Sequence, residues 1–319
     1  MAAVANFIDV ENISYSGREY QDILSRDLYS LDLRNYGVTL LDGVKGKTKI
    51  YSGEIGDVFQ LYSCPFTPQG AASLAESYIE PVALKSNLEN CYDVFWNTFL
   101  VEQTSISLNG GIPQTFAEWF FAKYREKMKR EYEEIFWAGD EDYSGATKEY
   151  LAVTNGVEKQ LEDNRDVTKI SGSVFTVDNI LEQVEAAINQ AISVAADAEV
   201  DTERYKVMMN YNDVRLLKMA LGKVCCPNSQ SIFSNYAKEG EKVYIYGFEV
   251  IPTMQSRNTI IVGDPRNLVL GFDTWDSHAT WKLIDMRETT GDNIFRIIAI
   301  TNIAVGIVFP EGFVYSRPE

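Results

Sequence analysis

The chain has 319 residues, 45% of them hydrophobic and 24% charged, and a formal net charge of −17. That composition belongs to a folded chain that buries a sizeable core in two or three domains, and excludes a disordered one. The acidic balance argues against gripping nucleic-acid phosphates or anionic lipid surfaces, both of which need clustered Lys and Arg.

Residues 1–36 are polar, with scattered apolar side chains (Tyr29, Leu31, Leu33) and no sustained period, and read as an extended arm. The first residues lack a basic segment and reach acids at Asp9 and Glu11, unlike a signal peptide. From Gly37 to about Pro68, β-like runs at 38–41, 49–51 and 58–62 are separated by Gly43, Gly46, Gly53 and Gly56. This pattern predicts a two-stranded ribbon projecting from the body. A lone ribbon is marginal in water, so it is expected to lie on a neighbour, in its own chain or another. Lys45, Lys47 and Lys49 alternate and are expected to share one face of a strand. That face either blunts an edge against aggregation or meets an acidic patch on another chain. With Tyr51, Phe59 and Tyr62, these lysines are the candidate contact residues.

Residues 78–99 read as a connecting strand. A helix follows at 113–138: Pro113 suits its first position, and Phe116, Phe120, Tyr124, Met128 and Tyr132 recur every four residues. Its other face is charged in mixed sign, and Gly139 closes it. Two more helices are predicted, 179–196 capped by Asp178 and 213–221 capped by Asn212 and ended by Gly222. Beyond Lys242 the reading is nearly all strand: 243–251, 258–262, 267–272, 281–287, 294–301 and 303–309. The last of these carry near-continuous apolar runs, as strands covered on both faces do.

Catalytic constellations are scarce. The one histidine, His278, lies in a polar loop, and no phosphate-cradling glycine loop, dinucleotide turn or nucleophile elbow occurs. Asp140, Asp142, Ser144 and Gly145 match the first half of a calcium loop, but Leu151 stands where a bidentate Glu is required. No cofactor or metal is expected. Cys64, Cys91, Cys225 and Cys226 show no C-x-x-C spacing and read as free thiols of a chain made in a reducing cytoplasm. The longest uncharged run, 297–309, is too short to span a bilayer as a helix.

The order of elements resembles the tailed-bacteriophage major capsid proteins, the Hong Kong-97-type α+β shell fold shared with bacterial encapsulins. Phe136-Trp137-Ala138-Gly139-Asp140 is similar to the end of that family's spine helix. Val250-Ile251-Pro252, then Ile260 to Pro265 and Asn267 to Gly271, are similar to the strand and Gly-Asp turn of its axial domain. Arg296 to Ile298, and Gly306 through Pro310-Glu311-Gly312-Phe313-Val314, resemble its closing strands. The resemblance implies an N-terminal arm at 1–36, an extended loop at 37–80 that overlaps a neighbouring subunit, a peripheral domain from 81–170 and 278–319, and an axial domain at 171–277. It also implies a non-enzymatic virion protein that joins copies of itself in hexamers and pentamers of an icosahedral shell around double-stranded DNA. Scaffolding, portal and decoration proteins are the further partners it implies. Some members weld subunits through a Lys–Asn bond; Lys45, Lys47 or Lys49 stand near the lysine's place, with no asparagine identified. The alternatives are an encapsulin-type compartment and, from a different class, a cytoplasmic enzyme using carboxylates and a metal at Asp140 and Asp142.

Overall fold

The computed structural model describes residues 14–15, 32–55, 59, 72–108, 116–197, 201–224, 242–273, 281–287 and 290–318. In chain order these form β1 (Ser14–Tyr15), α1 (Asp32–Tyr36), β2 (Thr39–Asp42), β3 (Thr48–Ile55), β4 (Ala72–Ile79), β5 (Val82–Cys91), α2 (Tyr92–Leu108), α3 (Phe116–Ala138), α4 (Val157–Asp163) and β6 (Thr168–Gly172). Then come α5 (Ile180–Asp197), β7 (Lys206–Asn210), α6 (Tyr211–Val224), β8 (Val243–Ile245), β9 (Phe248–Thr253), β10 (Ile260–Gly263), β11 (Leu268–Phe272), β12 (Trp281–Asp285), β13 (Ile294–Ile307) and β14 (Val314–Pro318). They divide into two compact units.

The first unit is built from Val82–Tyr132 and Phe272–Ile303, with β1. Strand β13 pairs antiparallel with β5 from Ile294↔Cys91 to Ile303↔Val82, and with β12 from Trp281↔Ala299 to Asp285↔Phe295. Rings cover this sheet. Tyr92, Phe95, Trp96 and Phe99 of α2 interleave with Phe116, Trp119 and Phe120 of α3, and Phe295 of β13 meets Phe120 at a centroid distance of 4.8 Å. Edge-on pairs of this kind add to the burial of large apolar area. Further along α3, the buried Tyr132 hydroxyl is hydrogen-bonded to Thr301 of β13. The Arg287 guanidinium clasps Asp285 and lies 4.5 Å over the Tyr92 ring, fixing the start of α2.

The second unit is built from Asp32–Pro81, Glu133–Gly271 and Ala304–Glu319. Its main sheet runs β6-β14-β10-β7-β9-β8. Helices α5 and α6 lay Ile180, Val184, Ile188 and Leu217 on Val207, Met209, Val250, Ile260, Val262 and Val314, all buried. The last turn of α3 buries Ile135, Phe136 and Trp137, and Glu134 is paired with Lys148 at 3.0 Å and accepts from the Tyr150 hydroxyl. The chain leaves that helix through Gly139, which crosses Gly156 so closely that a Cβ at Gly139 would lie 2.4 Å from the Thr154 carbonyl oxygen.

Several expectations are corrected. Residues 92–99, read as strand, are helical, because Tyr92, Phe95, Trp96 and Phe99 stack on one face against α3. Strand 243–251 is a hairpin: Tyr246 (φ 49°) and Gly247 (φ 90°) form the two-residue turn between β8 and β9, and Val243 pairs Val250. The two runs at 294–301 and 303–309 are one strand, β13. Helix α5 is capped by Thr176 and Asn179, each accepting the other's backbone N–H (3.3 and 2.7 Å). Asp178 instead turns outward to Lys223 at 3.2 Å. Asn210, not Asn212, caps α6 by accepting the Asn212 N–H at 2.9 Å, and the helix passes Gly222 to end at Val224. Helix α3 ends at Ala138 as expected; Pro113 lies outside the described residues.

Candidate inter-subunit surface

Strands β3 and β4 form a two-stranded antiparallel ribbon of their own, in register from Thr48↔Ile79 to Ile55↔Ala72. The partner of residues 49–51 is β4; of the run 58–62, only Phe59 lies among the described residues. Side chains alternate across a ribbon, so directly paired residues share a face. One face, at Ile50 and Ile79, packs on Val44, Val269 and Ala304. Ile79 is 1% exposed, and two glycines make room for it: a Cβ at Gly306 would lie 2.3 Å from Ile79 Cγ2, and one at Gly271 would lie 3.1 Å from Ile79 Cδ1. Ser77 adds a hydrogen bond from its hydroxyl to the Ile307 carbonyl at 3.2 Å. The ribbon is thus anchored through its base within its own chain.

The other face is exposed among the described residues. Tyr78 lies at its centre, with Lys47 Nζ 4.9 Å and Lys49 Nζ 5.4 Å from the ring centroid. Glu76 accepts from Lys49 at 2.6 Å and from the Tyr78 hydroxyl at 3.0 Å. Tyr51, paired with Glu76 in register, is 58% exposed. Among the described residues, this cluster sets two ammonium groups and two phenol rings beside one carboxylate. The exposed Lys49–Glu76 pair contributes under about 1 kcal/mol to folding.

The predicted site residues are distributed as follows. Lys47 and Lys49 share a face as expected, although β3 starts at Thr48 and only Lys49 is a strand residue. Lys45 is exposed in the segment before β3, Phe59 is 95% exposed, and Tyr62 lies outside the described residues. The sequence reading missed Glu76 and Tyr78. Their signal was the alternation Glu76, Ser77, Tyr78, Ile79, with polar and aromatic residues on one side and the buried isoleucine on the other.

The carboxylates at 140–142 are directed elsewhere. Asp140 Oδ1 accepts the Asp142 N–H at 3.1 Å and faces Lys159 at 3.9 Å. Leu151, where a calcium loop needs a Glu, is buried, and its carbonyl accepts the Asp140 N–H at 2.9 Å. Among the described residues, no group of three or more His, Cys, Asp or Glu is placed to hold a metal. His278, Cys64, Cys225 and Cys226 lie outside the described residues, and Cys91 is an exposed free thiol.

No protein-family model matches the chain, and no curated protein matches its sequence. Solved structures do. A chain of the satellite phage P4 procapsid, in a structure that includes the size determination (Sid) protein, aligns with a TM-score of 0.62 over 97% of this chain and 93% of that one, at 9% identity. The capsid of a native GTA particle aligns with a TM-score of 0.56 over 90% of each chain at 9% identity. The capsid of Myoviridae phage XM1 aligns with a TM-score of 0.52 over 91% and 92% at 10% identity. The chain has the tailed-phage capsid fold. In this chain the ribbon, the long helix and the closing strands follow one another in the order that the resemblance implied.

Proposed function

We propose that this chain is a major capsid subunit that assembles with copies of itself into hexamers and pentamers of an icosahedral shell enclosing double-stranded DNA. The observation that carries the reading is the extent of the likeness to the procapsid chain, which leaves almost no part of either chain unmatched. In this reading residues 1–36 are the arm, 37–80 the loop that reaches a neighbour, 81–170 with 278–319 the peripheral domain, and 171–277 the axial domain. Lys45, Lys47, Lys49, Tyr51, Phe59 and Tyr62 contact the adjacent subunit, where an acidic surface meets the lysines. The net charge of −17 supports both halves of the idea: neighbours carry ample carboxylates, and an acidic wall lets enclosed DNA remain mobile. Portal, scaffolding and decoration proteins are the further partners, and the virion is the final location after assembly in the host cytoplasm.

Velocity sedimentation and negative-stain electron microscopy of the purified full-length protein test this. Closed megadalton shells are expected. A stable small monomer, above all one with a metal-dependent activity, would overturn the reading. Shells that co-purify with a cargo enzyme and never with DNA would overturn the genome-enclosing part alone.

A further inference from the structure

Helices α5 and α6 lie side by side on one face of the main sheet, α5 over β6, β14 and β10, and α6 over β7 and β9. Their inner sides share one apolar core, but their outer sides differ in charge. Helix α6 has a single carboxylate, Asp213, which is buried and accepts the Asn258 N–H at 2.7 Å. Its outer side shows Asn212, Arg215, Met219, Gly222 and Lys223, with Lys218 half-buried beside them. These positions recur three or four residues apart, so they form one basic stripe, in a chain whose net charge is −17.

Helix stability explains only part of the stripe. Lys223 lies in the last turn, where the helix dipole favours a cation, and it reaches Asp178 at 3.2 Å. Arg215 and Lys218 lie outside that turn, and among the described residues neither has an ion-pair partner. Between them and Lys223 lies Met219, 62% exposed. Helix α5 is the converse. It contains no Lys or Arg, and Glu182 and Glu185 are exposed on its outer side. Glu185 accepts the Tyr246 hydroxyl at 3.3 Å. Tyr246 is itself exposed and holds φ 49°, a conformation that costs a residue with a Cβ about 1–2 kcal/mol and that Gly or Asn would adopt more readily. The β8–β9 turn thus sets a phenol ring beside these carboxylates at a cost in backbone strain.

We propose that the basic stripe of α6 docks on the acidic side of α5, with Tyr246, in a second copy of this chain; the inference rests on the capsid-subunit reading. Arg215 and Lys218 meet Glu182 and Glu185, and the Met219 thioether supplies an apolar contact for the Tyr246 ring. Placing α6 against α6, or α5 against α5, would bring like charges together, so the pairing also fixes the order of the copies. The contact joins two different surfaces of one chain. Each copy added therefore presents one surface of each kind, and the contact repeats from copy to copy until a ring closes.

Charge reversal tests it, by velocity sedimentation and negative-stain electron microscopy of the purified full-length proteins at one salt concentration. Arg215→Glu with Lys218→Glu should lose shells, and so should Glu182→Lys with Glu185→Lys. All four substitutions in one chain should restore them, because opposite charges meet again. None of the four sites is fully buried, so each protein should melt within about 2 °C of the wild type. If any of these variants fails to fold, Arg215→Gln with Lys218→Gln takes its place and should raise the concentration needed for assembly about tenfold. The proposal is overturned by normal shells from either reversed protein, by no shells from a folded fourfold variant, or by an unmoved assembly concentration in the neutral one. In each of those cases wild-type shells leave the capsid reading standing. A wild type that never forms shells overturns both.

Discussion

The anchoring of the ribbon through Ile79 can be tested by a double-mutant cycle with Gly306. Ile79→Ala removes three buried carbons, worth about 0.8 kcal/mol each, and leaves a void in a small cluster, for a cost of about 3 kcal/mol. Gly306→Ala places a methyl 2.3 Å from Ile79 Cγ2, more than 1 Å inside ordinary contact, for about 1–3 kcal/mol of overpacking. In the double variant Cγ2 is gone, and the new methyl faces the remaining Cβ at 3.7 Å, an ordinary contact that refills part of the void. The two costs should therefore fall short of their sum by about 2 kcal/mol. Equilibrium urea unfolding of the four full-length proteins, followed by tryptophan fluorescence, measures the coupling. Additivity within about 0.5 kcal/mol would mean that Ile79 and Gly306 do not share this space, and that the ribbon is anchored by other means.

Gly139→Ala should lower the melting temperature by about 6–12 °C, since its methyl meets backbone oxygens of Thr154 and Ile135 that no side-chain rotation relieves; an unchanged melting curve would contradict the close crossing. Phe116→Ala should cost about 3–5 kcal/mol and flatten the near-ultraviolet circular dichroism of the aromatic cluster it centres. Lys47→Glu with Lys49→Glu should abolish shell assembly in sedimentation while moving the melting temperature by no more than about 1 °C; normal assembly would remove the open ribbon face from the interface.

The parts of the fold legible in the sequence were those whose residues repeat over a long window. The four-residue recurrence from Phe116 to Tyr132 announced α3, and the stripe Ile180, Val184, Ile188 announced α5. Helix α2 was misread because Val94, Phe95, Trp96, Phe99 and Val101 are strand formers taken one at a time. Only the rings of α3 and Phe295 make their helical spacing useful. The hairpin at Tyr246-Gly247 was hidden because a tyrosine occupies a turn position usually held by Asn, Asp or Gly. At the ribbon, the lysines were visible as a pattern in one segment. The ring that gathers them, Tyr78, lies about thirty residues away, and only strand pairing brings it to them.

Strand β14 runs parallel to β6, with Val314 beside Thr168, and antiparallel to β10 on its other side, so it fills the sheet between two strands made earlier. At translation rates of about 5–20 residues per second, β6 leaves the ribosome roughly 7–30 s before its partner. β6 waits through that whole interval without this partner and β10 through its last third, and the apolar flank of α5 lacks part of its floor. A prematurely terminated chain stays in that state for good. Closure of this sheet thus waits on β14, and copies that stop before it lack the surface that copies carrying it share.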